Sequence, residues 1–165
     1  SQTQEEKMKK FTVIMLALSI LLAVAVHSGA QSAPNHTAML TVGMVPWIAG
    51  AGAEYLYRYG NWGFGADLMF GRNSGTVRGF STHAIAKWHI PVIEGLSAFL
   101  SAGAGIVYTW CEFTPDYLYF NPYISAGFEG RYKWLVSSLE AGYGPGIGQS
   151  VLHSAFVKFG IGVAF

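Results

Sequence analysis

Alternation of side-chain character with a period of two runs through most of the chain after residue 37. Its clearest instance is the C-terminal segment 152–165, where Val157, Phe159 and Ile161 alternate with Lys158 and Gly160. A period of two places successive side chains on opposite faces of a β-strand. After residue 30, no apolar run approaches the roughly 18 residues that a membrane-spanning helix requires. The sequence therefore predicts strands that each have one apolar and one mixed face.

Eight such segments follow one another, separated by turn-forming residues such as Gly60-Asn61. Most have at least the roughly nine residues that a tilted strand needs to cross a bilayer. An even number of strands can close into a barrel, which leaves no backbone group unpaired in lipid. We therefore predict an all-β, eight-stranded antiparallel up-and-down transmembrane β-barrel. The predicted strands are 38–45, 49–59, 62–71, 77–90, 96–110, 118–131, 134–144 and 152–165.

The composition favours a membrane barrel over a soluble one. Charged residues make up 12% of the chain, whereas soluble domains carry about 25%. A soluble barrel of the lipocalin type would place the apolar faces inside and the mixed faces in water. The mixed faces here hold mainly glycine and serine, and glycine weakens an exposed strand. Small residues with a few balanced charges suit instead the interior of a narrow barrel, so we expect the apolar faces to meet lipid.

Aromatic residues on the apolar faces fall into two bands when the strands are drawn alternately up and down. Two bands are expected where amphipathic rings meet lipid headgroups. Phe64 and Phe159 depart from the pattern and lie nearer the middle. The first band, near the C-terminal end of the barrel, contains Tyr57, Tyr59, Trp62, Trp88, Phe128 and Phe165. The second contains Phe70, Phe80, Tyr108, Trp110, Phe120 and Tyr143.

The N-terminal region has the pattern of a secretory signal. Two lysines directly follow Met8, which we take as the start, and an apolar core covers 11–26. Small residues at 28–30 then predict cleavage before Gln31. A retained anchor helix is the alternative, but the short core and the cleavage site favour a signal peptide. The predicted organisation is upstream residues and signal peptide at 1–30 and the barrel domain at 31–165.

A signal peptide, eight alternating strands and a C-terminal phenylalanine resemble the small bacterial outer-membrane barrels of OmpA/OmpX type. The resemblance covers the whole mature chain, is architectural and includes no family-specific loop motif. It implies export to the outer membrane, contact with outer-membrane lipids and surface loops available to an extracellular partner. It also implies that the barrel-assembly machinery recognises the terminal strand, whose outward row is Phe159, Ile161, Val163 and Phe165.

Nine polar residues share the mixed faces and are predicted to form a network inside the barrel. They are Glu54, Arg58, Asp67, His83, Lys87, Glu129, Arg131, Glu140 and Lys158. Buried ions cost several kcal/mol each unless they are paired, so this balanced set predicts a plug of mutually neutralising charges. A selective pore or a site for a small ligand is the alternative. From residue 31 onward there are seven basic and seven acidic residues, which gives no basic surface for nucleic acid.

Two prolines raise the alternative of a lipid-modifying enzyme. Pro122 and Pro145 lie near the outer ends of the sixth and seventh predicted strands, where proline removes ladder hydrogen bonds. This resembles the lateral gate of outer-membrane palmitoyltransferase barrels. The nearby lumen residues that could hold an acyl chain are Met69, Val107, Tyr123 and Phe156.

No catalytic set accompanies these prolines. Ser81 near His83, and His153 beside Ser154, do not match the His-x-Ser motif of outer-membrane lipid A deacylases. A nucleophile also needs a base and a third group that orients the base. Cys111 is the only cysteine and belongs to no metal-binding cluster. We therefore predict no catalytic residue, metal or cofactor, and a structural or surface-interaction role in the outer membrane.

Overall fold

The computed structural model describes residues 35–45, 48–73, 77–110, 116–148 and 151–165. Eight strands make up nearly all of this part of the chain. They are β1 (His36–Val45), β2 (Ile48–Tyr59), β3 (Trp62–Asn73), β4 (Val77–Ile93), β5 (Leu96–Trp110), β6 (Tyr117–Tyr132), β7 (Leu135–Ile147) and β8 (Val151–Ala164). None of the described residues forms a helix of the length and apolarity that crossing a bilayer would require.

The strands form a closed barrel in which each pairs antiparallel with the next along the chain. β1 closes the barrel against β8, from Thr37 opposite Ala164 to Met44 opposite Val157. Closure removes the unpaired strand edges that lipid cannot satisfy. The predicted fold class, an eight-stranded antiparallel up-and-down barrel, is confirmed.

Tight turns connect the strands at one end of the barrel. Gly60 and Gly95 have φ angles of 60° and 76° there, and Lys133 has a φ of 55°. Glycine adopts this left-handed region without the steric cost that a Cβ atom adds. These turns lie beside the start of β1 and the end of β8, and we call this the terminal end. The opposite end, where β1 joins β2 and β7 joins β8, is the loop end.

The two faces of the strands separate as the alternation predicts. The mixed faces point inward, and most of their side chains are buried in the lumen, which is therefore the core of the molecule. The apolar faces point outward and expose large side chains around the barrel. Examples of these outward residues are Tyr57, Phe70, Leu100, Ile124, Phe128 and Phe159.

Several strands run further than predicted. β3 includes Arg72, which we expected in a loop, and β7 includes Pro145, which we also expected in a loop. β4 continues through Pro91, where the pairing with β5 shifts. Proline lacks a backbone N–H donor, but a strand tolerates it where the pairing is irregular. A turn-forming residue therefore did not mark the end of these strands. The predicted signal peptide at 1–30, together with Pro46 and Cys111, lies outside the described residues.

Candidate functional site

Six ionisable side chains from five strands meet in the middle of the lumen, and we call them the central charge layer. They are Glu54 (β2), Asp67 (β3), His83 and Lys87 (β4), Glu140 (β7) and Lys158 (β8), and none is more than 6% exposed. Lys87 Nζ donates to Glu54 Oε1 at 2.7 Å and to Glu140 Oε2 at 3.0 Å. Lys158 Nζ donates to Glu54 Oε2 at 2.7 Å and to Asp67 Oδ2 at 3.1 Å. These bonds cross the lumen and join strands that are not neighbours in the sheet.

His83 links the central charge layer to β6. Its Nδ1 lies 2.9 Å from Asp67 Oδ1, and its Nε2 lies 3.0 Å from Asn121 Oδ1. The Asn121 amide is oriented because its Nδ2 donates to the Pro145 carbonyl oxygen at 2.9 Å. The imidazole is therefore held between Asp67 on one side and Asn121 on the other.

The ions of the central charge layer are paired with one another. Three carboxylates face two ammonium groups and the imidazole of His83. Ser125 Oγ also donates to Glu140 Oε1 at 2.6 Å, and Lys87 Nζ lies 4.6 Å from the centre of the Phe99 ring. Buried ions are tolerated only when their charges and remaining hydrogen-bonding groups are satisfied in this way.

A second cluster lies nearer the terminal end, and we call it the terminal charge layer. Its centre is Glu129, whose Oε1 accepts from Arg58 at 3.0 Å and from Arg131 at 2.8 Å. Arg131 also donates to Thr37 Oγ1 at 2.8 Å. His89 Nε2 lies 3.3 Å from Glu129 Oε2, while its Nδ1 has no hydrogen-bond partner among the described residues.

Apolar side chains fill the lumen on both sides of the central charge layer. Toward the terminal end, Leu56 packs with Met39, Ile85 and Val136. Toward the loop end, the Tyr123 ring contacts Phe156 edge-on, with centroids 5.2 Å apart, and Met69 completes that cluster. An eight-stranded barrel has an interior only wide enough for side chains to fill, and these layers fill it.

The ladder between β6 and β7 is interrupted at two facing prolines. Phe120 pairs with Ile147 and Ile124 pairs with Tyr143, but the positions between them are unpaired. That register sets Pro122 opposite Pro145, and neither has an N–H to donate. Asn121 Nδ2 supplies the missing donor to the Pro145 carbonyl from inside the barrel. The interruption is thus tied through Asn121 and His83 to the central charge layer.

All nine polar residues predicted inside the barrel face the lumen, but they fall into two layers instead of one network. The residues that sequence reasoning left out are Thr37, His89, Phe99, Asn121 and Ser125. Each lies on the inward phase of its strand, so the alternation alone could have found them. They do not stand out in the sequence because their amide, hydroxyl, phenyl and imidazole groups carry no fixed formal charge.

In the described residues, neither serine–histidine pair noted in the sequence forms a hydrogen bond between its serine and its histidine. His83 Nε2 bonds to Asn121 and not to Ser81, whose Oγ has no partner in this part of the chain. His153 lies outside the barrel wall, where its Nδ1 bonds to the Tyr143 hydroxyl. No group of three or more metal-ligating side chains occurs among the described residues.

The outer wall carries the predicted aromatic bands and the terminal row. Near the terminal end, Trp62 stacks with Trp88, with ring centroids 6.5 Å apart. Near the loop end, Phe80 contacts both Phe70 and Tyr108, at 6.1 and 5.8 Å. Of the terminal row, Phe159 and Ile161 are exposed on the wall, and Val163 and Phe165 are half-buried.

A closed eight-stranded barrel with an apolar wall and a polar lumen has the fold of small outer-membrane β-barrels, as the resemblance to the OmpA/OmpX type implied. The N-terminal β-barrel domain of Pseudomonas aeruginosa OprF matches it with a TM-score of 0.65 and 15% identity, over 81% of this chain and 100% of that chain. Neisserial surface protein A (NspA) matches with a TM-score of 0.64 and 13% identity, over 82% of this chain and 100% of that chain. No family model and no curated protein sequence matches the chain.

Proposed function

We propose that this chain is an integral protein of the bacterial outer membrane with a structural or surface-interaction role and a closed lumen. The carrying observation is the contrast between an apolar, exposed wall and a lumen whose charged side chains are buried and paired. Side chains that line a water-filled bore would be accessible to solvent, whereas Lys87 and Glu140 are 0% exposed. An extracellular partner would contact the strand connections at the loop end.

Fractionation with a heat-modifiable gel shift tests the membrane placement. The protein should be recovered with outer membranes and should migrate faster on an unheated gel than after boiling, because a closed barrel resists detergent unfolding. Recovery in the soluble periplasmic fraction, or equal migration before and after boiling, would contradict the proposal. The reason is that an apolar wall of this kind is favourable in contact with lipid and unfavourable in contact with water.

We further propose that the outward row of β8 and the residue after it act in assembly. Removing Phe165 should reduce the heat-modifiable, membrane-inserted fraction, because the row Phe159, Ile161, Val163 and Phe165 would end without its aromatic residue. Phe128→Ala, at an exposed outward position of β6, is the matched control for loss of one lipid-facing ring. Equal assembly of the truncated and control proteins would exclude an assembly role for Phe165.

A lipid-modifying barrel is the second candidate, and the interrupted ladder at Pro122 and Pro145 is the observation that favours it. A gap between β6 and β7 could admit an acyl chain from the side. Against it, Met69, Tyr123 and Phe156 pack on one another at the nearby level of the lumen. Lipid A from membranes with and without the protein should have the same acyl chains. A protein-dependent change in acylation would replace the structural proposal with this one.

A further inference from the structure

Two arginines face each other on the outer wall at the loop end. Arg72 of β3 is the direct cross-strand partner of Arg78 of β4. Arg72 is two residues after outward-facing Phe70, and Arg78 is two residues before Phe80, so both arginines lie on the outward face. Both are exposed. We call them the arginine pair.

No carboxylate in the described part of the chain neutralises the arginine pair. Neither guanidinium makes an ion pair with any described carboxylate, although like charges placed directly opposite each other are destabilising in a sheet. Asp116 lies at the same end of the barrel, but its Oδ2 accepts a hydrogen bond from the Tyr108 hydroxyl at 2.5 Å. The other outward strand positions in the described residues carry no Asp, Glu, Lys or Arg. The arginine pair therefore concentrates positive charge on an otherwise apolar wall.

Its height on the barrel matches the edge of the apolar band. Arg72 lies ten positions after Trp62, which belongs to the band of rings near the terminal end, in the same strand. At about 3.3 Å per residue and a tilt of about 40°, this corresponds to a rise of about 25 Å, the height of the lipid-facing band of such barrels. Phe70 and Phe80 lie directly below the pair. The guanidinium groups thus sit where lipid headgroups begin.

We propose that the arginine pair binds the phosphate of an anionic lipid in the leaflet at the loop end. Two planar guanidinium groups side by side match phosphate oxygens in bidentate geometry. The aromatic rings of Phe70, Phe80 and Tyr108 form a continuous row beneath them, against which the acyl chains lie. The site rests on the proposed membrane placement and on no other part of the proposed function.

Native mass spectrometry of the folded protein in neutral detergent tests the site. The probes are phosphatidic acid and phosphatidylcholine with identical acyl chains. Phosphatidic acid should be retained in preference, and the double variant R72Q/R78Q should lower its affinity about tenfold or more, because the charge-assisted hydrogen bonds are lost. R72K/R78K, which keeps the charges without the planar fork, should bind with intermediate affinity. K133Q removes an exposed cation from a turn at the opposite end and should leave retention unchanged.

Three results would overturn the proposal. They are equal retention by R72Q/R78Q and the unaltered protein, equal retention of the two lipids, and an equal loss in K133Q. Displacement of the bound lipid by millimolar inorganic phosphate would overturn its assignment as a lipid site. The double variant should keep its heat-modifiable shift in the membrane fraction, so a failed lipid site is distinguishable from a failed membrane placement.

Discussion

The lumen and the wall of this barrel treat charge in opposite ways. Inside, Lys87 and Lys158 are each bound to two or more carboxylates. Outside, Arg72 and Arg78 face each other with the same sign and without an acidic partner in the described residues. The lumen lysines are therefore paired within the protein, whereas the arginine pair depends on groups outside the described residues for an anionic partner.

Because of this difference, substitutions in the lumen and on the wall should affect different properties of the protein. A buried ion that loses its partner has no water to replace it, so changes in the central charge layer should act mainly on folding. An exposed arginine at the edge of the apolar band keeps access to water and headgroups, so its removal should act mainly on lipid contact. The two regions can be compared directly by matched substitutions.

Lys158→Met should have the largest effect. It leaves the buried carboxylates Glu54, Asp67 and Glu140 with only Lys87 and His83, and breaking such a buried pair costs about 3–5 kcal/mol in the free energy of unfolding. Arg72→Met is the matched control on the wall and should change stability by no more than about 1 kcal/mol. Urea unfolding of the reconstituted barrel, followed by the heat-modifiable shift, measures both.

Equal losses in Lys158→Met and Arg72→Met would break the comparison between lumen and wall. A double variant sharpens it further. Because Asp67→Asn removes one of the carboxylates that Lys158 binds, combining it with Lys158→Met should cost less than the sum of the two single changes. Additive losses would show that the two side chains do not depend on each other.

Gly103→Val should destabilise the lumen by overpacking. A Cβ at Gly103 would lie 2.3 Å from Cε1 of Tyr123, so the ring would have to leave its contact with Phe156. Overpacking of this kind costs about 1–3 kcal/mol. Gly63→Ala is the control, because its Cβ would come no closer than 3.4 Å to the His89 ring and 3.8 Å to Lys87 Cβ. A Gly103→Val barrel with unaltered urea midpoint would contradict a lumen filled by side chains.

Asn121→Ala should loosen the barrel locally between β6 and β7. It leaves the Pro145 carbonyl and His83 Nε2 without their partner, and an unsatisfied buried group costs about 1–3 kcal/mol. Hydrogen exchange should therefore speed up at the amides of β6 and β7 beside the prolines more than in β2 and β3. Asn61→Ala, in an exposed turn, should leave exchange unchanged. Uniform exchange in all strands would mean that Asn121 does not close the interruption.

The alternation of side chains was sufficient to predict the fold. A shift by one residue would turn every apolar residue of a strand toward the lumen, so the phase of each strand was strongly determined. Strand ends were less predictable. Arg72 and Pro145 resemble loop residues in sequence, but pairing with a neighbouring strand extended both β3 and β7 past them.

The inward orientation of the charged residues was predictable, but their pairing was not. Lys87 and Glu140 are 53 positions apart, and their contact depends on how four strands curve around the lumen. The division into a central and a terminal charge layer has the same origin. Glu54, Leu56 and Arg58 all point inward from β2, so the Leu56 side chain lies between the two layers. Asn121 shows a further limit, since its importance depends on two prolines meeting in register across neighbouring strands.

Single-channel recording tests the closed lumen most directly. Folded protein inserted into a planar bilayer should give no conductance steps, because the central charge layer and the apolar clusters on both sides of it fill the bore. The Lys158→Met protein lacks the ion pairs that Lys158 forms across the lumen. Comparing its conductance with that of the unaltered protein would show whether these ion pairs keep the lumen closed. Discrete, reproducible conductance steps from the unaltered protein would contradict the closed lumen and would support a channel in its place.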